Sequence, residues 1–69
     1  MEIVAPLTGN VWRILVKEGD VVSAGDTLVI LESMKMEINV DTVFDGTVTR
    51  ILKNEGEMVQ GDEPLIVLE

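Results

Sequence analysis

The segment "GNVWRILVKEGDVVSAGDTLVILE" (Gly9–Glu32) is repeated 37 residues later as "GTVTRILKNEGEMVQGDEPLIVLE" (Gly46–Glu69). The two copies align without a gap, and the Arg-Ile-Leu and Glu-Gly sequences of the first copy fall on those of the second. A solenoid needs at least three repeats, whereas two copies can close on each other across a pseudo-two-fold axis. The sequence therefore predicts one closed unit that is built from two half-repeats.

Each copy has the composition of short strands that are separated by turns. β-branched residues dominate the strands, while the turns contain Gly-Asp or Gly-Glu pairs, and no segment keeps a helical apolar period. Val11 and Ile14 have opposite parity along their strand, so a β-bulge or a strong twist between them would turn both side chains inward. We predict eight strands, near residues 2–5, 10–16, 20–22, 27–32, 37–41, 47–53, 57–59 and 64–68.

The composition limits the size of the protein and the partners it can have. The chain has 69 residues and a net charge of −8, and it contains neither cysteine nor histidine. Five scattered cations do not form the basic face that nucleic acids or anionic membranes require. Apolar runs such as "LVIL" are too short for membrane insertion, and the first residues do not form a signal peptide. We expect one monomeric, cytoplasmic domain over residues 1–69, with half-repeats at about 1–34 and 36–69.

The residues offer no catalytic constellation. The hydroxyl groups, such as those of Ser23 and Ser33, have no base nearby in the sequence pattern, and the carboxylates are spread along the predicted turns. We therefore expect that the chain is not itself an enzyme.

The stretch between the two copies, "LESMKMEINV" (residues 31–40), has an unusual centre. It has strand character on both sides, but no Gly, Pro, Asn or Asp where a two-residue hairpin turn would need them. A turn with Met34 and Lys35 at its tip would break this local preference, and such positions are often functional. The residues alone leave another interpretation open, namely a solvated lysine beside methionines that fill the core.

The motif "ESMKME" resembles the attachment motif of biotinyl domains, the carrier domains of biotin-dependent carboxylases and decarboxylases. The resemblance extends over the whole chain, from "APLTG" through both half-repeats. It implies an all-β fold, a flattened β-barrel or sandwich of two four-stranded antiparallel sheets with pseudo-two-fold symmetry (a barrel-sandwich hybrid). Ser33 stands where the commonest family form has Ala. The segment "VWRILVKEGD" leaves no room for the "thumb" insertion of some carriers, so we expect the thumbless form.

The resemblance also implies a function and a site. Lys35 would attack biotinyl-adenylate held by a biotin ligase, and the resulting amide would make biotin the covalent cofactor. Met34 and Met36 would be recognised as flanking residues, and the surrounding hairpin residues would contribute more weakly; these are Glu32, Ser33 and Glu37. The biotin would then carry an activated carboxyl group between a biotin carboxylase and a carboxyltransferase.

Other carrier functions remain open. A lipoyl domain shares the fold and the hairpin lysine, but usually has Asp before the lysine and often Ala after it, unlike Met34 and Met36. A domain that accepts both biotin and lipoate, or an unmodified structural module, is also possible, although the latter has no use for Lys35. The missing Ala/Pro-rich linker predicts a stand-alone carrier or a domain cut from a longer chain.

Overall fold

The β-branched runs of both half-repeats form strands, and the Gly-Asp and Gly-Glu segments between them form turns. A computed structural model describes all 69 residues and contains no helix. Its strands are β1 (Glu2–Val4), β2 (Gly9–Ile14), β3 (Val21–Val22), β4 (Thr27–Ser33), β5 (Met36–Asp41), β6 (Gly46–Ile51), β7 (Met58–Val59) and β8 (Pro64–Leu68).

The strands form two four-stranded antiparallel sheets, with the orders β1-β8-β6-β3 and β5-β4-β2-β7. The repeat offset of 37 residues places β1–β4 on β5–β8 and converts one strand order into the other. It also preserves the register, since Ile3 lies opposite Ile66 in one sheet and Val40 lies opposite Val29 in the other. The predicted fold class is therefore confirmed.

A β-bulge interrupts β2, as the parity of its apolar residues predicts. The register shifts between Val11 and Arg13, and the same shift occurs at the equivalent place in β6. Val11 is consequently buried, and Ile14 packs against the same core although it has the opposite parity. The core contains 13 buried apolar residues that come from both half-repeats.

β2 and β6 end two residues earlier than the sequence predicts, at Ile14 and Ile51. The N–H of Leu15 still donates a hydrogen bond to the carbonyl of Leu28 (2.9 Å), but the chain then leaves the sheet. Four residues later the N–H of Gly19 donates to the carbonyl of Val48 (2.7 Å), which lies in the other sheet. The segment thus crosses between the sheets, and its counterpart at 52–57 has the same length, which leaves this chain without a thumb.

The two half-repeats are joined by side chains as well as by strands. Glu55 accepts a hydrogen bond from the backbone N–H of Ile14 (2.9 Å), just after the bulge of β2. Glu18 accepts the equivalent hydrogen bond from the N–H of Ile51 in the other half (3.3 Å). Each half therefore supplies the acceptor that the other half needs at the end of its bulged strand.

Candidate functional site

The centre of "LESMKMEINV" forms the tip of the hairpin between β4 and β5. Ser33 lies opposite Met36, which leaves Met34 and Lys35 as a two-residue turn. Both turn residues have positive φ, 53° and 64° respectively. Such a left-handed conformation costs about 1–2 kcal/mol for a residue with a side chain, and hairpins normally place Asn or Gly there. The turn therefore forms against local preference, and the rest of the fold must hold it in place.

The tip side chains project into solvent. Met34 is 92% exposed and Met36 is 64% exposed, and Lys35 is exposed between them. The one ion pair of the domain joins Lys53 to Glu63 (2.9 Å), so no carboxylate lies within salt-bridge distance of Lys35. The amine is consequently free for a partner protein to reach, and both flanking methionines are exposed as well.

The two faces of the hairpin differ in chemistry. Glu32 and Glu37 lie directly opposite each other and are both exposed. Because side chains alternate along a strand, Ser33 and Met36 lie together on the other face, which continues the buried side of β4. Like charges directly opposite each other destabilise a strand pair, so the acidic pair does not serve the stability of the hairpin.

The base of the hairpin is packed closely against Gly9, at the start of β2. A Cβ atom at this position would lie 2.7 Å from the carbonyl oxygen of Glu32 and 3.4 Å from the Cβ of Ser33. Any larger residue would therefore push β4 away from β2 at the point where the hairpin begins. This contact was missed by the sequence analysis, and the signal that could have found it is the alignment of Gly9 with Gly46 in the repeat.

The hairpin is not accompanied by a second kind of site. No group of three or more His, Cys, Asp or Glu side chains could hold a metal ion, and the surface has no pocket. The fold contains no helix of the length and apolarity that a membrane span requires.

Comparison with known protein families identifies the chain. Residues 1–68 match the family model Biotin_lipoyl, described as "Biotin-requiring enzyme". The chain belongs to this family. Membership confirms the resemblance that the motif "ESMKME" indicated, and it supports biotin as the cofactor.

Relatives of this Biotin_lipoyl chain include an enzyme subunit and a biotinylated protein. The chain is 67% identical over 36 residues to the "Methylmalonyl-CoA carboxyltransferase 1.3S subunit" of Propionibacterium freudenreichii subsp. shermanii, which covers 52% of this chain and 29% of the relative. It is 51% identical over 39 residues to the "Biotinylated protein TB7.3 homolog" of Mycolicibacterium smegmatis, covering 56% of this chain and 55% of the relative. The chain thus matches about half or less of the length of each relative.

The Biotin_lipoyl fold is also present in a solved carboxylase. The structure of the Kluyveromyces lactis urea carboxylase superposes with a TM-score of 0.93 and 33% sequence identity. The match covers all of this chain but only 6% of the carboxylase chain. The fold of the present chain therefore corresponds to one small part of that protein.

Proposed function

We propose that this chain is a biotin carboxyl carrier domain and that Lys35 is the residue that bears the biotin. The observation that carries the proposal is the exposed Met-Lys-Met hairpin tip, which holds two residues at positive φ in a chain of the Biotin_lipoyl family. The fold gains nothing from this turn sequence, so a function outside folding accounts for it.

The attachment reaction uses the side-chain amine of Lys35. A biotin ligase removes a proton from the ammonium group, and the neutral amine attacks the carboxyl carbon of biotinyl-adenylate. The bond from that carbon to the adenylate oxygen breaks, AMP leaves, and an amide forms with loss of the second amine proton. Met34 and Met36 present adaptable apolar surface to the ligase. The backbone around them, with Glu32, Ser33 and Glu37, sets where the amine lies.

The domain then serves as a tether. Biotin held on the hairpin has a high effective concentration at any active site that the arm can reach. When bound there, biotin would supply the ureido nitrogen that carries a carboxyl group between a biotin carboxylase and a carboxyltransferase. The chain contributes no catalytic group of its own. We place it in the cytoplasm as one monomeric domain over residues 1–69, in keeping with its composition and the absence of cysteine.

A second candidate is a lipoyl carrier, or a domain that accepts both groups. The observation that favours it is that the matching family model is named for both biotin and lipoyl groups. The hairpin lysine and the fold would serve either group, and the methionines on both sides of Lys35 favour biotin.

The test is to co-express the chain with a biotin ligase or with a lipoate ligase and to measure the intact mass. We expect one biotinyl group with the first ligase, located by peptide mapping on Lys35, and no addition with the second. Lys35→Arg keeps the charge but cannot form the amide, so it should abolish labelling. Lys17→Arg and Lys53→Arg are matched controls and should be labelled normally. Label on Lys17 or Lys53, or label that survives Lys35→Arg, would contradict the proposal.

A further inference from the structure

Sulfur occurs in this chain only as thioether. There are four methionines and no cysteine. All four methionines are exposed, with Met34 at 92%, Met58 at 65%, Met36 at 64% and Met1 at 61% of their surface accessible. Two of them flank Lys35, whereas Met58 lies in β7 and Met1 precedes β1. The molecule thus carries two thioethers at the candidate site and two elsewhere with similar exposure.

Exposed thioethers react with peroxides. The sulfur lone pair attacks one peroxide oxygen, the O–O bond breaks, and the products are methionine sulfoxide and water from hydrogen peroxide. The sulfur loses two electrons and the peroxide gains them. Met34 is the most accessible methionine and sits at the outermost position of the hairpin, so an oxidant meets no neighbouring side chain that would shield it.

Oxidation at the tip changes the chemistry that a ligase meets. A sulfoxide is polar and chiral, whereas the thioether is apolar and flexible. Neither Met34 nor Met36 belongs to the 13-residue core, so the added oxygen lies in water and leaves the packing of the domain intact. The change is therefore confined to the surface around Lys35.

We propose that Met34 and Met36 form a peroxide-sensitive modification site that lowers the ability of Lys35 to accept biotin. The inference rests on the proposed function, because it assumes that Lys35 is the acceptor. The sulfoxides place two polar groups on either side of the amine, on surface that the ligase must cover to bring the amine to within about 3–3.5 Å of the activated carboxyl carbon. A thiol-dependent methionine sulfoxide reductase would reverse the effect.

The test treats the unmodified chain with graded hydrogen peroxide, removes the peroxide with catalase and then measures the initial rate of biotinylation by untreated ligase. Peptide mapping gives the extent of oxidation at each methionine. We expect Met34 to oxidise first, and the initial rate to fall at least fivefold as the sulfoxides of Met34 and Met36 accumulate. Methionine sulfoxide reductase should restore the rate. Circular dichroism and the melting temperature should not change.

Two variants separate the hairpin thioethers from the others. Peroxide should lower the initial rate of biotinylation of Met58→Leu as much as that of the native chain. The variant Met34→Leu/Met36→Leu should be biotinylated at the same initial rate before and after the treatment. An unchanged rate in the native chain with both hairpin methionines fully oxidised would overturn the proposal, and so would a loss that the reductase does not reverse. If the untreated chain is not biotinylated on Lys35, the proposed function itself fails, before any oxidation.

Discussion

The hairpin between β4 and β5 and the pairing of β8 with β1 are equivalent parts of the two half-repeats, yet only the hairpin carries the candidate site. The registers correspond residue by residue, but β8 and β1 are the last and first strands and have no turn between them. The N-terminal ammonium of Met1 donates a hydrogen bond to the carbonyl of Leu68 there (2.7 Å). The strand pair therefore forms without a connecting turn. The strained Met34–Lys35 turn is consequently not required for the fold.

Among variants that keep a lysine in the turn, the largest effect on biotinylation is expected from moving that lysine by one position. The exchange Met34→Lys/Lys35→Met keeps composition and charge, but it places the amine on a different backbone position. Misplacement by about 1 Å can cost roughly a hundredfold in rate. We expect at least tenfold slower biotinylation in an initial-rate assay with purified ligase. Circular dichroism and melting curves control for folding, and equal rates for the two proteins would show that the ligase recognises a flexible segment.

A methyl group at each of the two equivalent glycines should affect the two regions differently. In Gly9→Ala the new Cβ would meet the carbonyl oxygen of Glu32 at 2.7 Å, whereas in Gly46→Ala it would meet that of Glu69 at 3.0 Å. Overpacking typically costs about 1–3 kcal/mol, and Gly9→Ala should lie at the upper end because β4 itself must shift. Urea unfolding measures the stabilities.

Gly9→Ala should also slow biotinylation, because it displaces the base of the hairpin. Gly46→Ala lies at the β1–β8 end and should be biotinylated at the native rate. If the biotinylation rate falls by the same factor in both variants, the contact between Gly9 and Glu32 does not position Lys35.

Replacing the turn by a sequence that suits its backbone should stabilise the domain. Met34→Asn/Lys35→Gly supplies residues that tolerate the observed φ values of 53° and 64°. Relief of the left-handed strain should raise the free energy of unfolding by about 1 kcal/mol, while all biotinylation is lost. The single variant Lys35→Gly shows how much of this gain in stability comes from position 35. No gain in stability would mean that the turn carries no strain.

A smaller effect is expected at the last turn of each half-repeat. Gly25 has a φ of 97°, and the equivalent position in the other half is Asp62 with a φ of 71°. Asp tolerates the left-handed region better than most residues but less well than Gly. Asp62→Gly should therefore gain a few tenths of a kcal/mol, and Gly25→Asp should lose about 1 kcal/mol. Thermal unfolding measures the stability of the two variants. If Asp62→Gly is less stable than the native chain, Asp62 is not strained.

The smallest effect concerns an ion pair that only one half-repeat contains. The hydrogen bond from the Lys53 ammonium, with a second from the backbone N–H of Gln60, lowers the pKa of the Glu63 carboxyl. Hydrogen bonding to Glu63 in turn raises the pKa of Lys53. The equivalent residues of the other half, Val16 and Asp26, cannot form such a pair.

The pH dependence of this pair follows from the two shifts. The contribution of Glu63 is present above its unfolded pKa and is lost as the pH falls through its folded pKa, and that of Lys53 is lost as the pH rises through its own raised pKa. Lys53→Gln should therefore be slightly less stable than the native chain between about pH 5 and 10, and equally stable near pH 2. A difference that persists at pH 2 in urea unfolding would show that Lys53 acts through packing.

The repeat made most of the fold predictable, because a gapless offset fixes which strands are equivalent and therefore how the sheets must match. The parity of Val11 and Ile14 indicated either a bulge or a strong twist in β2, and the structure contains the bulge. The ends of β2 and β6 could not be predicted, because Leu15 and Leu52 have the side chains of strand residues. The strand pairing ends there only because the chain crosses to the other sheet. The close approach of Gly9 to Glu32 is a contact between distant segments, and no local pattern contains it.

The pairing of β1 with β8 also bears on the order in which the domain forms. β4 and β5 are adjacent in sequence, whereas the hydrogen bond between Met1 and Leu68 spans 67 residues and that between Ile14 and Glu55 spans 41. Closing a longer loop costs more chain entropy, so these two contacts form late. During synthesis the hairpin that carries Lys35 is complete in sequence while β8 is still to be made. A ligase that requires the closed domain would then meet its substrate only after the last strand has been made.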